Sequence, residues 1–299
     1  MIAETEQSGV VRHAVSAMGT RFELVLDAGP MGRSMAGAIA EEAGELILDW
    51  HDRLSAFARG SVVGVLNASG GAWVRLDGEV AELLAACFAL HDETGGTFDP
   101  TLGAAMRAAG HRGESGAAVT GEAAFGLAAL ELDGAWARLT RPGVELDLGG
   151  IAKGHALDLV AELLREHGGT SALAHGGTST AIAVGCAPDG SPWRVRLGPM
   201  VDAPVVELVD RAMSVSAIAG RVADGNGHVL DPRTGRAVSH RAQAAVVGKS
   251  ARWCDAWSTA LLVLDDGDAV EPSGGEWMVW KAIAGERVVG ERSDDGRRD

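Results

Sequence analysis

The stretch Val144–Gly154, VELDLGGIAKG, constrains this chain more than any other. It enters on an alternation of apolar residues, Val144, Leu146 and Leu148, passes through Gly149-Gly150, and reaches Lys153. A helical pattern follows in HALDLVAELLREHGG, with Ala156, Leu159, Val160, Leu163 and Leu164 on one face. Gly168 and Gly169 end it, as glycine commonly does after a last helical turn. A strand, a glycine turn and a helix aim backbone N–H groups and a positive helix end at an anion. Asp147 before the glycines and Lys153 after them suit a phosphate and its metal. They equally suit a tight turn with a solvated lysine. The spacing matches neither GxxxxGK[ST] nor GxGxxG.

Charge narrows what such a turn can serve. The 299 residues carry 26 basic and 41 acidic side chains, a formal charge of −15. A chain that acidic is a poor fit to nucleic acid or to an anionic membrane surface. A phosphate-rich ligand would then need a divalent cation or a local basic pocket. With 46% hydrophobic residues, the chain can bury the core of one large domain or two smaller ones. Tyrosine is absent, and Cys87, Cys186 and Cys254 lie far apart with no zinc spacing, so they read as buried free thiols. The N-terminus MIAETEQSGVVRH has neither a basic n-region nor an apolar h-region. No apolar run of about eighteen residues suggests a membrane span. As written the chain reads as cytoplasmic, or as exported if a leader was removed.

The remaining segments read as a mixture of strands and helices. Residues 10–26 hold two strand-like pieces joined at Met18-Gly19-Thr20, and residues 31–54 form an amphipathic helix. Residues 54–71, LSAFARGSVVGVLNASGG, read as a loop-rich stretch. Asp77 precedes a second helix ending at Gly95-Gly96. In the following TFDPTLG, the Asp-Pro pair favours a turn, and Asp99 is expected to face outward from it. Residues 129–148 form a hairpin pattern turning at Asp133-Gly134, with a second turn at Arg141-Pro142-Gly143. Strands dominate the second half, so an α+β fold follows, of mixed sheets with flanking helices. CDAWSTALLVL is a helix that places Asp255 and Thr259 four apart, on one face. Two oxygen ligands so placed suit a hard cation. Asp255 can also be read as a charge near a helix N-terminus.

The order of motifs carries more than any one of them: MGTRF, LSAF…LN, GGTFDPT, DLGGIAKG, GGTST, SVSAIAG, HVLDPRTG and DAWSTA. From Met18 to about Leu264 this series resembles the ApbE family, the FAD:protein FMN transferases. The resemblance implies a two-lobed α+β fold, related to the T-fold, with the flavin site between the lobes. Residues 10–265 are then one catalytic domain of one or two lobes, and residues 266–299 are C-terminal strands with a polar tail. It implies Mg²⁺-dependent cleavage of FAD at its pyrophosphate. FMN passes through a phosphoester to a threonine or serine of an acceptor protein, and AMP is released. The carbonyl of Gly150 joins Asp255 and Thr259 as a metal ligand in this reading. Asp147, Lys153 and Val229 become flavin-nucleotide contacts. Thr97, Phe98 and Asp99 match the segment at the adenosine end, and Met18 and Phe57 match positions lining the flavin site. His228, in the HxxDPxTG motif, activates the acceptor hydroxyl, a task that suits a neutral imidazole.

The chain also departs from the family pattern. It reads Ser216-Ala217-Ile218-Ala219-Gly220-Arg221 where relatives often read STSG with a tyrosine two residues on. Phe57 replaces a usual tyrosine, keeping a stacking face and losing a hydroxyl. GGTS stands where an acidic or amide residue is common after GG, and the His228 loop is short. These changes touch flavin and acceptor contacts more than the metal. A Mg²⁺-dependent FAD pyrophosphatase and a non-catalytic flavin-binding protein stand as alternatives. A nicotinamide oxidoreductase lacks its fingerprint here.

Overall fold

The computed structural model describes residues 9–108, 125–198, 204–218, 229–238, 242–264, 272, 276–283 and 286–292. The chain opens with a hairpin, β1 (Val10–Ala17) and β2 (Thr20–Asp27). Helix α1 (Arg33–Leu54) follows, burying Ala36, Ile39, Ala43, Ile47 and Trp50 along one stripe. The expected loop after it contains a short helix, α2 (Val62–Asn67). The hydroxyl of Ser61 caps it by accepting the Gly64 N–H at 2.8 Å, a local device that hydrophobic periodicity does not register. Next come β3 (Val74–Arg75), α3 (Gly78–Glu93) and α4 (Gly103–Ala108). Asp77 caps α3 by accepting from Val80 N at 2.8 Å. The hairpin β4 (Leu130–Asp133) and β5 (Trp136–Leu139) turns at Gly134, φ +56°, where the sequence puts it.

Helix α5 (Ala152–Glu166) precedes β6 (Ala172–Gly176), β7 (Thr180–Val184), β8 (Trp193–Arg196), β9 (Val205–Leu208) and β10 (Ala212–Ala217). The small pair β11 (Leu230–Asp231) and β12 (Arg236–Ala237) leads to β13 (Ala242–Gly248) and α6 (Ala251–Val263). Strands β14 (Trp277–Ile283) and β15 (Glu286–Arg292) follow. Eight strands form one antiparallel sheet in the order β1-β2-β6-β7-β10-β13-β14-β15. The sheet thus continues past residue 265.

Strand alternation divides the core between the two faces of the sheet. Ile182 and Val184 of β7, with Ala244 and Val246 of β13, face the main core shared with α1, α5 and α6. Their neighbours Ala181, Ala183, Ala245 and Val247 face a smaller cluster closed by Val206 and Leu208 of β9. Covered on both sides, β7 is buried at every position, which accounts for the unbroken TAIAV. The main core runs without a break into a second region of α2, α3 and the three-stranded sheet β3-β5-β4.

The entry to the glycine turn is extended but is not a ladder strand. Residues 144–148 make one isolated parallel bridge, Leu102 to Glu145. The amide of Asn67 takes the place of a neighbouring strand. Its Nδ2 donates to the Leu146 carbonyl at 3.0 Å and its Oδ1 accepts the Leu146 N–H at 2.7 Å. The Asp147 N–H donates to the Pro100 carbonyl at 2.7 Å. Leu146 and Leu148 alternate inward, so the sequence shows the period of a strand although no sheet receives it.

Candidate active site

Two helix starts face each other at the centre of the site. Gly154, in the first turn of α5, lies against the first turn of α6. A Cβ there would sit 2.2 Å from the Ala251 carbonyl oxygen, so a side chain would force the helices apart. The close approach lets each helix supply the other with a carboxylate. Asp158 of α5 accepts from Ser250 Oγ at 2.6 Å, Ala251 N at 2.6 Å and Arg252 N at 3.0 Å, capping α6. Burial holds the Asp158 carboxyl above its ordinary pKa, against the pull of those donors. Asp255 of α6 accepts the Gly154 N–H at 3.1 Å.

Asp255 is 2% exposed, and four donors meet its carboxylate. Thr180 Oγ1, at the start of β7, and Ser214 Oγ of β10 donate to Oδ1 at 3.1 and 3.0 Å. Gly154 N and Lys153 Nζ donate to Oδ2, the lysine at 3.3 Å. Hydroxyls carry the cluster outward. Ser258 Oγ lies 3.3 Å from Ser214 Oγ, and Ser216 Oγ lies 2.9 Å from Ser258 Oγ and 3.2 Å from Thr259 Oγ1. Ser214 and Ser258 are fully buried, whereas Ser216, Thr259 and Lys153 are half-buried. The partly exposed side of the cluster is therefore where a ligand can reach it.

The glycine turn borders that side. Asp147 Oδ1 accepts the Gly149 N–H at 2.8 Å, which turns the chain at the glycines. Lys153 Nζ also donates to the Gly149 carbonyl at 3.2 Å. A Cβ on Gly150 would lie 3.8 Å from Thr259 Oγ1 and 3.6 Å from the Phe98 ring. Gly150, Thr259 and Phe98 thus meet, although they are far apart in sequence. The segment 97–101 runs beside the turn through the Pro100 and Glu145 carbonyl contacts. Asp99 is turned inward, which corrects the outward orientation expected from the Asp-Pro turn. It is 8% exposed and accepts from Thr101 N, Thr101 Oγ1 and Leu127 N at 2.8, 2.6 and 3.0 Å. Unpaired backbone donors of the buried loop capture it. Thr97 donates to the Thr94 carbonyl at 2.8 Å.

Met18 has φ +50° in the β1–β2 turn, and its N–H donates to His51 Nδ1 of α1 at 3.2 Å. Phe57, just past α1, is 63% exposed and presents its ring to solvent. Val229 is buried in the main core, with its carbonyl accepting the Val238 N–H at 2.9 Å. His228 lies outside the described residues.

The donor chemistry fits a hard divalent cation. Among the described residues no three His, Cys, Asp or Glu side chains are grouped to hold a metal. What the site offers is one buried carboxylate and the Thr259 hydroxyl, with Gly150 next to that hydroxyl. One carboxylate with neutral oxygens, completed by substrate phosphates, is the usual way Mg²⁺ is held. Sequence reasoning missed Thr180, Ser214, Ser258, Asp158 and Glu93. The Glu93 Oε1 accepts both the Trp253 and Trp257 indole N–H groups at 3.0 Å, tying α3 to α6. Thr180 stands in GGTST, and Ser250 is a cap-type residue before a helix, so some signal was present.

Known proteins share this arrangement of elements. The family model described as the ApbE family matches residues 18–272. The chain is 30% identical over 268 residues to a FAD:protein FMN transferase of Rhodobacter capsulatus, covering 83% of this chain and 48% of that protein. It is 24% identical over 292 residues to one of Haemophilus influenzae, covering 89% and 84%. The chain spans about half the length, or less, of the curated relatives it matches first. The apo form of the Pseudomonas stutzeri flavinyl transferase ApbE superposes with TM-score 0.81 at 26% identity, covering 97% of each chain. An ApbE protein of Thermotoga maritima has the same fold, with TM-score 0.81 at 23% identity, covering 96% of this chain and 97% of that one.

Proposed function

Because the chain belongs to the ApbE family, we propose that it is a Mg²⁺-dependent FAD:protein FMN transferase. The observation that carries the reading is the buried Asp255 carboxylate. It is preset by Thr180, Ser214 and Gly154, and it borders a glycine turn with one lysine. Asp255, Thr259 and the carbonyl of Gly150 would hold the cation, which when bound neutralises phosphate oxygens in the transition state. Lys153, beside the turn, binds the pyrophosphate. Asp147 shapes that turn by holding Gly149 N. Phe98 packs behind Gly150 within the 97–99 segment, where it supports the adenosine end. Met18 and Phe57 form the rim that receives the flavin, with the exposed Phe57 ring free to stack.

The transfer balances as a displacement at phosphorus. The acceptor's threonine or serine oxygen bonds to the FMN phosphorus, and the bond from that phosphorus to the bridging oxygen breaks. AMP leaves with that oxygen, and His228 takes the hydroxyl proton. Incubation with FAD, Mg²⁺ and an acceptor protein carrying a target threonine or serine tests the reading. Flavin fluorescence on the acceptor in a denaturing gel, with AMP released, is the expected result. Free FMN with AMP would make the protein a pyrophosphatase, and unaltered bound FAD would make it a carrier.

A further inference from the structure

We propose that Lys153 is a resident cation for Asp255. It occupies the place of the divalent metal until the metal arrives, and is then released to the pyrophosphate. This rests on the metal reading above and deepens it. The carboxylate of Asp255 has room for about four hydrogen bonds, and four donors already fill it among the described residues. With two donors on each oxygen, a cation can bind at Oδ2, which Lys153 shares with Gly154 N, only if one of those two withdraws.

Three of the four are poorly able to do so. Thr180 and Ser214 are buried at 1% and 0% exposure, and Gly154 N is fixed where α5 meets α6. Lys153 makes the longest of the four contacts, 3.3 Å, and its side chain is 19% exposed on a flexible stem. It is also the charged one, so it offsets the buried carboxylate by itself. Withdrawal does not leave the ammonium stranded. It keeps the Gly149 carbonyl at 3.2 Å, on the glycine turn, where phosphate oxygens need a donor. The exchange therefore makes the two events cooperative: the metal frees the lysine that FAD needs.

The test is metal binding to the full chain without FAD, with Mn²⁺ as the probe followed by electron paramagnetic resonance. Lys153→Met should bind Mn²⁺ about tenfold more tightly than the parent, the scale of one charge-assisted contact. Lys153→Arg, which keeps the charge, should not. Unchanged or weaker Mn²⁺ binding in a folded Lys153→Met protein would overturn the proposal. If Lys153→Met does not fold, the parent protein decides. Mn²⁺ should raise the acylation rate of Lys153, read by peptide mass spectrometry, and should not do so in Asp255→Asn. A rate indifferent to Mn²⁺ overturns the exchange. Parent-level Mn²⁺ binding in Asp255→Asn overturns the metal assignment beneath it.

Discussion

The first turns of α5 and α6 each receive a carboxylate from the other helix, and the two carboxylates are in different situations. Asp158, at the start of α6, is held by a hydroxyl and two backbone N–H groups, three partners that cannot leave. Asp255 of α6, facing the start of α5, is held by two hydroxyls, one backbone N–H and a half-buried lysine. Hydroxyls lead from Asp255 out to Thr259 and Ser216. What separates them is that one partner of Asp255 is a lysine and that hydroxyls lead from Asp255 to the half-buried Thr259 and Ser216.

Substituting the carboxylates one at a time attacks the contrast most directly. Asp255→Ala should lower FAD turnover by about 10³-fold, because a bound cation supplies several kcal/mol to the transition state. The melting temperature should fall much less than the rate. Near-normal turnover in Mg²⁺ would make Asp255 a second cap. Asp158→Ala should do the reverse. It strips the acceptor from three donors and removes a cap, so unfolding should cost about 3 kcal/mol less by denaturant titration. Mn²⁺ affinity of the folded variant should be little changed. A large loss of metal affinity with stability intact would erase the distinction.

Acid sharpens the structural side. His155 follows Gly154 on α5, is 6% exposed, and meets the Trp50 ring edge-on at 4.3 Å. Burial first, then Arg252 and Arg53, pushes its pKa down to about 4. The unfolded chain, near the ordinary 6.5, therefore binds the proton more readily. Stability is complete above about pH 6.5 and is lost as pH falls toward 4, by about 2 kcal/mol near pH 5. His155→Phe should flatten that part of the stability profile. An unchanged profile would place the titration elsewhere. The smallest expected effect is on orientation: Thr180→Val removes one of the two donors to Asp255 Oδ1 and should weaken Mn²⁺ binding about tenfold. No change would mean that Ser214 alone sets the carboxylate.

Much of this was readable one segment at a time. The stripe of α1, the hairpin at Gly134, and the pairing of Asp255 with Thr259 all follow from spacings within one element. Other features were not readable. Asn67 gives 144–148 a strand-like period without a sheet, and Ser61 builds α2 where glycine and serine suggest loop. Asp99 faces inward because Leu127 N and Thr101 need an acceptor. Each depends on a partner that becomes a neighbour only after folding.

The sequence by itself determined which family the chain resembles, the α+β alternation, and the glycine turn with its lysine and helix. These rest on local backbone preference and on motif order. The tertiary structure decided that Thr180 and Ser214 reach Asp255, because antiparallel register places Thr180 opposite Ser214 and α6 packs across β7 and β10. It also decided that Lys153 spends its charge on Asp255, because only glycine at 154 lets the two helix starts approach closely enough. Hydrogen bonds act over about 3 Å, so side chains 75 and 41 residues away from Asp255 become its partners only through packing.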